Sequence, residues 1–125
     1  MEVNEMTLSD FEEIKDILEL EFDRFWKPSI LENELKSNSS KYIVAKETGI
    51  IVGFAGILIT PVGAEIMNIV TKKSERKKGI GTILLDRLIE MTKELNKDSL
   101  SLEVNELNTP AISLYEKAGF KIVRN

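Results

Sequence analysis

Seven residues, Arg76-Lys77-Lys78-Gly79-Ile80-Gly81-Thr82, lead straight into an apolar-periodic segment at 83–95. The glycines let the main chain approach a ligand closely, and a helix start leaves N–H groups unpaired. The cations add local positive charge. Together these are what a pyrophosphate needs. The spacing is Arg-x-x-Gly-x-Gly. It is neither a Walker A loop nor a dinucleotide fingerprint, since Leu84 stands where the third glycine of the latter would fall. The same residues also fit a solvated, Lys-rich turn before an ordinary amphipathic helix, with Gly79 a simple turn residue.

Two further side chains could carry chemistry. In the run from Ser99 to Asn105, residues Leu100, Leu102 and Val104 share one strand face, and Ser101, Glu103 and Asn105 take the other. Glu103 thus ends a strand beside the cradle, where its plain reading is an exposed carboxylate. Tyr115 shares a helix face with Ala111, Ile112 and Ala118, which also suits a tyrosine that packs its ring and wets its hydroxyl. The chain has no histidine and no cysteine. Acid–base work therefore falls to Glu, Asp, Lys or Tyr, and disulfides, thiolate metal sites and a Cys nucleophile are excluded.

The elements that must position these residues can be read from periodicity. Ser9-Asp10-Phe11-Glu12 reads as a capping box opening a helix over 9–25, with Phe11, Ile14, Ile17, Leu18 and Phe22 at helical spacing. Ser29 with Glu32 reads as a second box for a short helix carrying Leu31 and Leu35. Strands follow at 42–45, 50–59 and 65–71, with turns at Glu47-Thr48-Gly49 and Pro61-Val62-Gly63. A helix face built on Ile80, Ile83, Leu84, Leu88, Met91 and Leu95 ends at Asn96-Lys97-Asp98. Next come a strand at 99–104, a loop at 105–108 and a helix at 109–117 with Pro110 in its first turn. Gly119 sits where a C-cap belongs, and another strand begins at 121–123. A crossover of this length requires the strands near 65–71 and 99–104 to pair in parallel. The expected fold is mixed α+β: a mostly antiparallel sheet with one parallel junction, flanked by four helices, in a single domain spanning 1–125. The cradle then opens outside the carboxyl end of a parallel strand, where ligands bind in such layouts.

The formal charge is −4, so the basic loop is a local feature. An acidic chain argues against broad nucleic-acid binding. No apolar run reaches the roughly 20 residues of a membrane span, and no secretory signal is expected. A cytoplasmic protein that does not engage membranes is the default.

These residues resemble the GNAT superfamily of acetyl-CoA-dependent N-acetyltransferases, and within it the bacterial ribosomal-protein-alanine N-acetyltransferases. The resemblance spans nearly the whole chain. Its most specific pieces are Met67-Asn68-Ile69-Val70-Thr71, the loop at 76–82, Leu102-Glu103-Val104, and the stretch from Asn108 to Phe120 reading Asn-x-x-Ala-x-x-Leu-Tyr-x-x-x-Gly-Phe. It implies acetyl-CoA as co-substrate, with no metal. Backbone groups of Ile69, Val70 and Thr71 would pair with the pantetheine arm, as a sheet neighbour would. Arg76 and the amides of Lys77, Lys78, Gly79, Ile80, Gly81 and Thr82 would hold the pyrophosphate. Asn108 would contact the cofactor near the splay between the parallel strands. Glu103 would be the general base and Tyr115 the general acid.

An α-amine, with a pKa of about 7.7–8.0, is already roughly a tenth neutral at pH 7, whereas neutralising a lysine costs about 4.6 kcal/mol. A protein N-terminal amine, ribosomal or other, therefore suits a carboxylate base working through water. With no cysteine, direct attack in a ternary complex remains. The alternatives are acetylation of a small-molecule amine and a non-catalytic acyl-CoA-binding domain. A nucleic-acid binder using Lys72, Lys73, Arg76, Lys77 and Lys78 ranks last. Members of the family continue beyond the position of Asn125 with a Tyr-Tyr segment and a final strand, so the resemblance implies C-terminal truncation. A sheet edge left open there would invite a homodimer.

Overall fold

Tyr42-Ile43-Val44-Ala45 alternates between two faces, and all four residues are buried, which requires cover on both sides of the sheet. The computed structural model describes residues 1–23, 27–104 and 107–121. Its elements are β1 (Glu2–Glu5), α1 (Leu8–Ile14), α2 (Leu18–Glu21), α3 (Pro28–Lys36), β2 (Ser40–Glu47), β3 (Ile50–Ile59) and β4 (Ala64–Thr71). A 3-10 turn (Lys73–Glu75), α4 (Ile80–Glu94), β5 (Leu100–Ser101) and α5 (Thr109–Lys117) complete it. The strands lie in the order β1-β2-β3-β4-β5. All neighbours are antiparallel except β4 and β5, which pair in parallel through Ala64↔Leu100 and Glu65↔Ser101. Thr48 (φ +48°) and Gly49 (φ +82°) make the tight left-handed turn that closes the β2–β3 hairpin.

One face carries α1 to α3 over Phe11, Ile14, Leu18, Phe22, Leu31, Tyr42, Val44, Phe54 and Val70. The other carries α4 over Ile43, Ala45, Val52, Ala55 and Ile57, with Leu84, Leu85 and Leu88 filling the gap. Gly53 sets how closely α4 sits: a methyl there would lie 2.9 Å from the Val70 carbonyl oxygen and 3.0 Å from Ile80. On the opposite face Tyr42 lays its ring across Gly56, where a methyl would strike it at 2.3 Å. The ring thereby reaches β4, and Asn68 Nδ2 donates to Tyr42 Oη at 2.8 Å. A register shift at Gly56/Ile57 leaves Met67 unpaired, so β4 bulges beside this contact.

Several sequence expectations need correction. The N-cap of α1 is Thr7, not Ser9. Thr7 N–H donates to Asp10 Oδ2 (2.9 Å), and Asp10 N–H donates to Thr7 Oγ1 (3.1 Å). The helix expected over 9–25 is two helices parted by a turn at 15–17, and the second stops at Glu21 because Phe22 is extended and bridges Lys72 of the chain after β4. The flanking helices therefore number five among the described residues, not four. Pro28, not Ser29, opens α3, and Lys27 at its N-cap contributes no side-chain bond. β1 was not foreseen: four residues with one half-buried side chain carry little alternation. The strand expected over 99–104 is only Leu100–Ser101. The ends of the predicted first helix at 24–25, Asn105 and residues 122–123 of the expected last strand lie outside the described residues. No described helix is long and apolar enough to cross a membrane.

Burial, together with the nearby Glu34 charge, pushes the Tyr42 hydroxyl up to about 12 against the opposing bond from Asn68. The fold holds Tyr42 neutral while the unfolded chain ionises it near pH 10. This contribution is therefore intact below roughly pH 10 and is lost between about pH 10 and 12, on the order of 2 kcal/mol. Urea unfolding at about pH 9 and 11.5 should show this fall in the wild type, and its Tyr42 share should be missing in Tyr42→Phe.

Candidate active site

The loop from β4 to α4 is shaped by two left-handed residues, Lys77 (φ +64°) and Gly79 (φ +82°). Gly79 is the N-cap of α4 and has no side chain with which to cap it. The N–H groups of Ile80, Gly81 and Thr82 therefore lack intrahelical partners, and the helix dipole adds its positive end at the same point. A methyl at Gly79 would meet nothing within 4 Å, and one at Gly81 would meet only Leu114 of α5 at 3.9 Å. Protein packing thus does not require glycine at 81. The open space above these amides suits a close-fitting anion.

The loop's side-chain charge is largely spent within the protein. Arg76 Nε and Nη2 both reach Asp23 Oδ1, and Lys78 pairs with Glu75. Lys77 has no carboxylate partner among the described residues. Recognition of an anion here falls mainly to main-chain N–H groups.

The second half of the site is the outer edge of β4. Lys72 N–H donates to the Val52 carbonyl of β3 (2.8 Å), so even-numbered residues here turn their backbone toward β3. Ile69 and Thr71 turn theirs outward. β5 covers this edge only at Ala64 and Glu65. At the far end Asp23 N–H donates to the Thr71 carbonyl (2.8 Å). Between these limits lie the Ile69 N–H and C=O and the Thr71 N–H, which sheet pairing leaves bare. Val70 does not share this edge: its side chain is buried under α1 to α3 and its backbone faces β3.

Leu100 and Leu102 pack on the α4-side core, Ser101 and Glu103 are exposed, and Glu103 lies two residues past the end of β5 rather than ending the strand as the sequence suggested. Tyr115 is half-buried against the same core, with its ring edge-on to Phe120 at 5.9 Å. Burial raises its hydroxyl pKa, so the phenol keeps its proton at neutral pH. The Leu114 contact at Gly81 brings α5 alongside the first turn of α4. Asn108 is the N-cap of α5, its Oδ1 accepting from Ala111 N–H at 3.3 Å, which leaves its amide donors for a ligand.

Sequence reasoning missed three groups here. Asp23 carried no signal beyond a charge near a helix end. Tyr42 read only as a strand residue. Asn68 lay in a quoted motif without a role, yet its buried Oδ1 has no hydrogen-bond partner among the described residues.

The acetyltransferase (GNAT) family profile matches residues 11–120. The chain belongs to the GNAT acetyltransferase family. It is 32% identical over 123 residues to a ribosomal-protein-alanine N-acetyltransferase of Haemophilus influenzae, covering 97% of this chain and 82% of that protein. An N-alpha-acetyltransferase of Sulfurisphaera tokodaii is 30% identical over 130 residues, covering 94% of this chain and 78% of that one. The crystal structure of the corresponding ribosomal-protein-alanine enzyme of Escherichia coli superposes with a TM-score of 0.87 at 23% identity, covering 98% and 79% of the two chains. The GNAT chain is accordingly an acyltransferase.

The two loop glycines should respond oppositely to alanine. Gly79→Ala forces a left-handed alanine and should cost about 1–2 kcal/mol. Gly81→Ala lies inside the helix with room for its methyl and should gain up to about 1 kcal/mol. Urea midpoints of the two variants check this, and a destabilised Gly81→Ala would mean that the space is not open.

Proposed function

We propose that this GNAT protein is a cytoplasmic enzyme that transfers an acetyl group from acetyl-CoA to a protein N-terminal amine, of the ribosomal-protein-alanine type. The observation that carries this is the uncapped, glycine-rich start of α4 following directly on β4, whose outer edge sheet pairing leaves bare at Ile69 and Thr71. The α5 helix that bears Tyr115 comes to the first turn of α4 through Leu114. The names of the relatives that align over nearly the whole chain support the acceptor.

In this reading the amides of Lys77 through Thr82 hold the diphosphate, Ile69 and Thr71 pair with the pantetheine arm as a strand would, and Asn108 offers its amide donors. Bound acetyl-CoA supplies the thioester carbonyl that the amine attacks. Glu103, exposed beside the splay, takes a proton from the acceptor amine through water, and that amine forms the new C–N bond. As the C–S bond breaks, Tyr115 gives its hydroxyl proton to the departing sulfur, whose thiol pKa is about 8.5. A phenol held neutral by burial has that proton available at physiological pH. An α-amine acceptor keeps the demand on Glu103 small.

Tyr115→Phe should lower turnover of an acceptor peptide by about 10²–10⁴-fold, read by thiol release and by mass spectrometry of the acetylated N-terminus. Full turnover would remove Tyr115 from the proton-donor role. Glu103→Gln should show a rate deficit that shrinks between about pH 7 and 9 as free α-amine becomes abundant. A deficit independent of pH would assign Glu103 to structure instead.

A further inference from the structure

The loop that feeds α4 is tied at one point to the helical layer on the opposite face of the sheet. Phe22 anchors that tie. It is fully buried, tilts its ring against Phe54 with centroids 6.0 Å apart, and bridges Lys72 in extended conformation. The next residue, Asp23, is held by its own N–H on the Thr71 carbonyl at 2.8 Å. Its carboxylate then receives two guanidinium nitrogens of Arg76 on a single oxygen. A looser pair, Lys72 with Glu21 at 3.6 Å, lies beside it.

Most surface ion pairs contribute little because two long side chains must be ordered to form them. Here that cost falls on one partner only. Asp23 is short, and its backbone is already fixed by a buried neighbour and a sheet-like hydrogen bond, so only Arg76 has freedom to lose. Arg76 stands immediately before the left-handed Lys77 and three residues before the N-cap. Fixing its direction constrains the curl that aims the Ile80, Gly81 and Thr82 amides. A guanidinium engaged in this way points toward the α1–α3 layer rather than over the helix start.

We infer that Arg76 acts as a strut to Asp23, so that the pair positions the diphosphate-binding amides and Arg76 is not itself the principal phosphate contact. The inference rests on the acetyl-CoA reading of the site and adds Asp23 to it as a positioning residue. It also couples the two layers of the fold, because Asp23 follows α2 while Arg76 opens the loop to α4. Loop geometry and helical layer are then set together.

The test is a double-mutant cycle read by calorimetry with two ligands, CoA and pantetheine, which lacks the diphosphate. Asp23→Ala and Arg76→Ala should each weaken CoA binding about tenfold, and the double variant should lose no more than either alone. Pantetheine affinity should stay within about twofold of wild type in all three, which a general loosening of the fold would not allow. Arg76→Asp should be the weakest CoA binder, and adding Asp23→Arg to it should recover most of the loss. Additive losses, a loss confined to Arg76→Ala, or no recovery in the charge-exchanged pair would overturn the strut and make Arg76 a direct phosphate ligand. An equal loss of pantetheine affinity would overturn it as well. A wild-type protein that binds no CoA sinks the acetyl-CoA reading and this inference together, whereas wild-type binding with an additive cycle sinks this inference alone.

Discussion

One edge of β4 is left without a sheet neighbour between Glu65 and Thr71, and the site follows from that gap. β5 pairs with β4 at only two positions before the chain departs, and the Phe22–Asp23 segment takes up the edge again at Thr71 and Lys72. Buried backbone groups that lack partners are costly, so a strand interior keeps such a gap only where another extended molecule or water can fill it. The bulge at Met67 sits at the start of the gap and fixes which residues turn outward beyond it. Without the bulge the parity of β4 would reverse. Val70, now packed under the helices, would then face the gap in place of Ile69 and Thr71.

Glycines at β3 hold the two layers close enough for this arrangement. Gly53 lets Ile80 and Leu84 rest nearly on the main chain, so the first turn of α4 begins level with the end of β4. Gly56 leaves the space through which Tyr42 spans the sheet to Asn68, just past the bulge. These contacts act on opposite faces of the same strand. A side chain at either would displace a different half of the site: the helix start in one case, the bulged edge in the other.

The later half of the chain was largely legible because its signals are local. Pro110 and Gly119 mark the two ends of α5, and Gly119 does take a left-handed φ of +101°. Leu84, Leu85 and Leu88 define one buried face of α4. The parallel β4–β5 pairing followed from crossover length alone. The N-terminal errors came from long-range contacts. Ser9 and Glu12 have the spacing of a capping box, yet Thr7 and Asp10 have it too in all but residue type. Burial alone would raise the Asp10 carboxyl pKa, but the Lys46 ammonium at 2.8 Å and the Thr7 backbone and side-chain bonds together leave it lowered. Lys46 is a long-range partner of a kind that Glu12 lacks among the described residues. Likewise the helical spacing of Phe11, Ile14, Leu18 and Phe22 is real, but Phe22 is claimed by a bridge to a residue fifty positions away. The catalytic candidates were visible by type only. Nothing in the spacing of Glu103 and Tyr115 states that α5 rests against Gly81.

The basic loop illustrates how far charge in a sequence differs from charge at a site. Three consecutive cations read as an electrostatic lure, yet Arg76 and Lys78 are each answered by a carboxylate within the fold. A pair of opposite charges presents a dipole to an incoming anion rather than a net field, and salt screens what remains beyond about 10 Å. Main-chain N–H groups behave differently: they are fixed in direction, cannot be neutralised by a neighbouring carboxylate side chain without occupying the same space, and need no ordering when a ligand arrives. A site built mainly on them discriminates by shape and hydrogen-bond direction more than by charge. It can therefore sit in a chain of net charge −4 without drawing every polyanion to it.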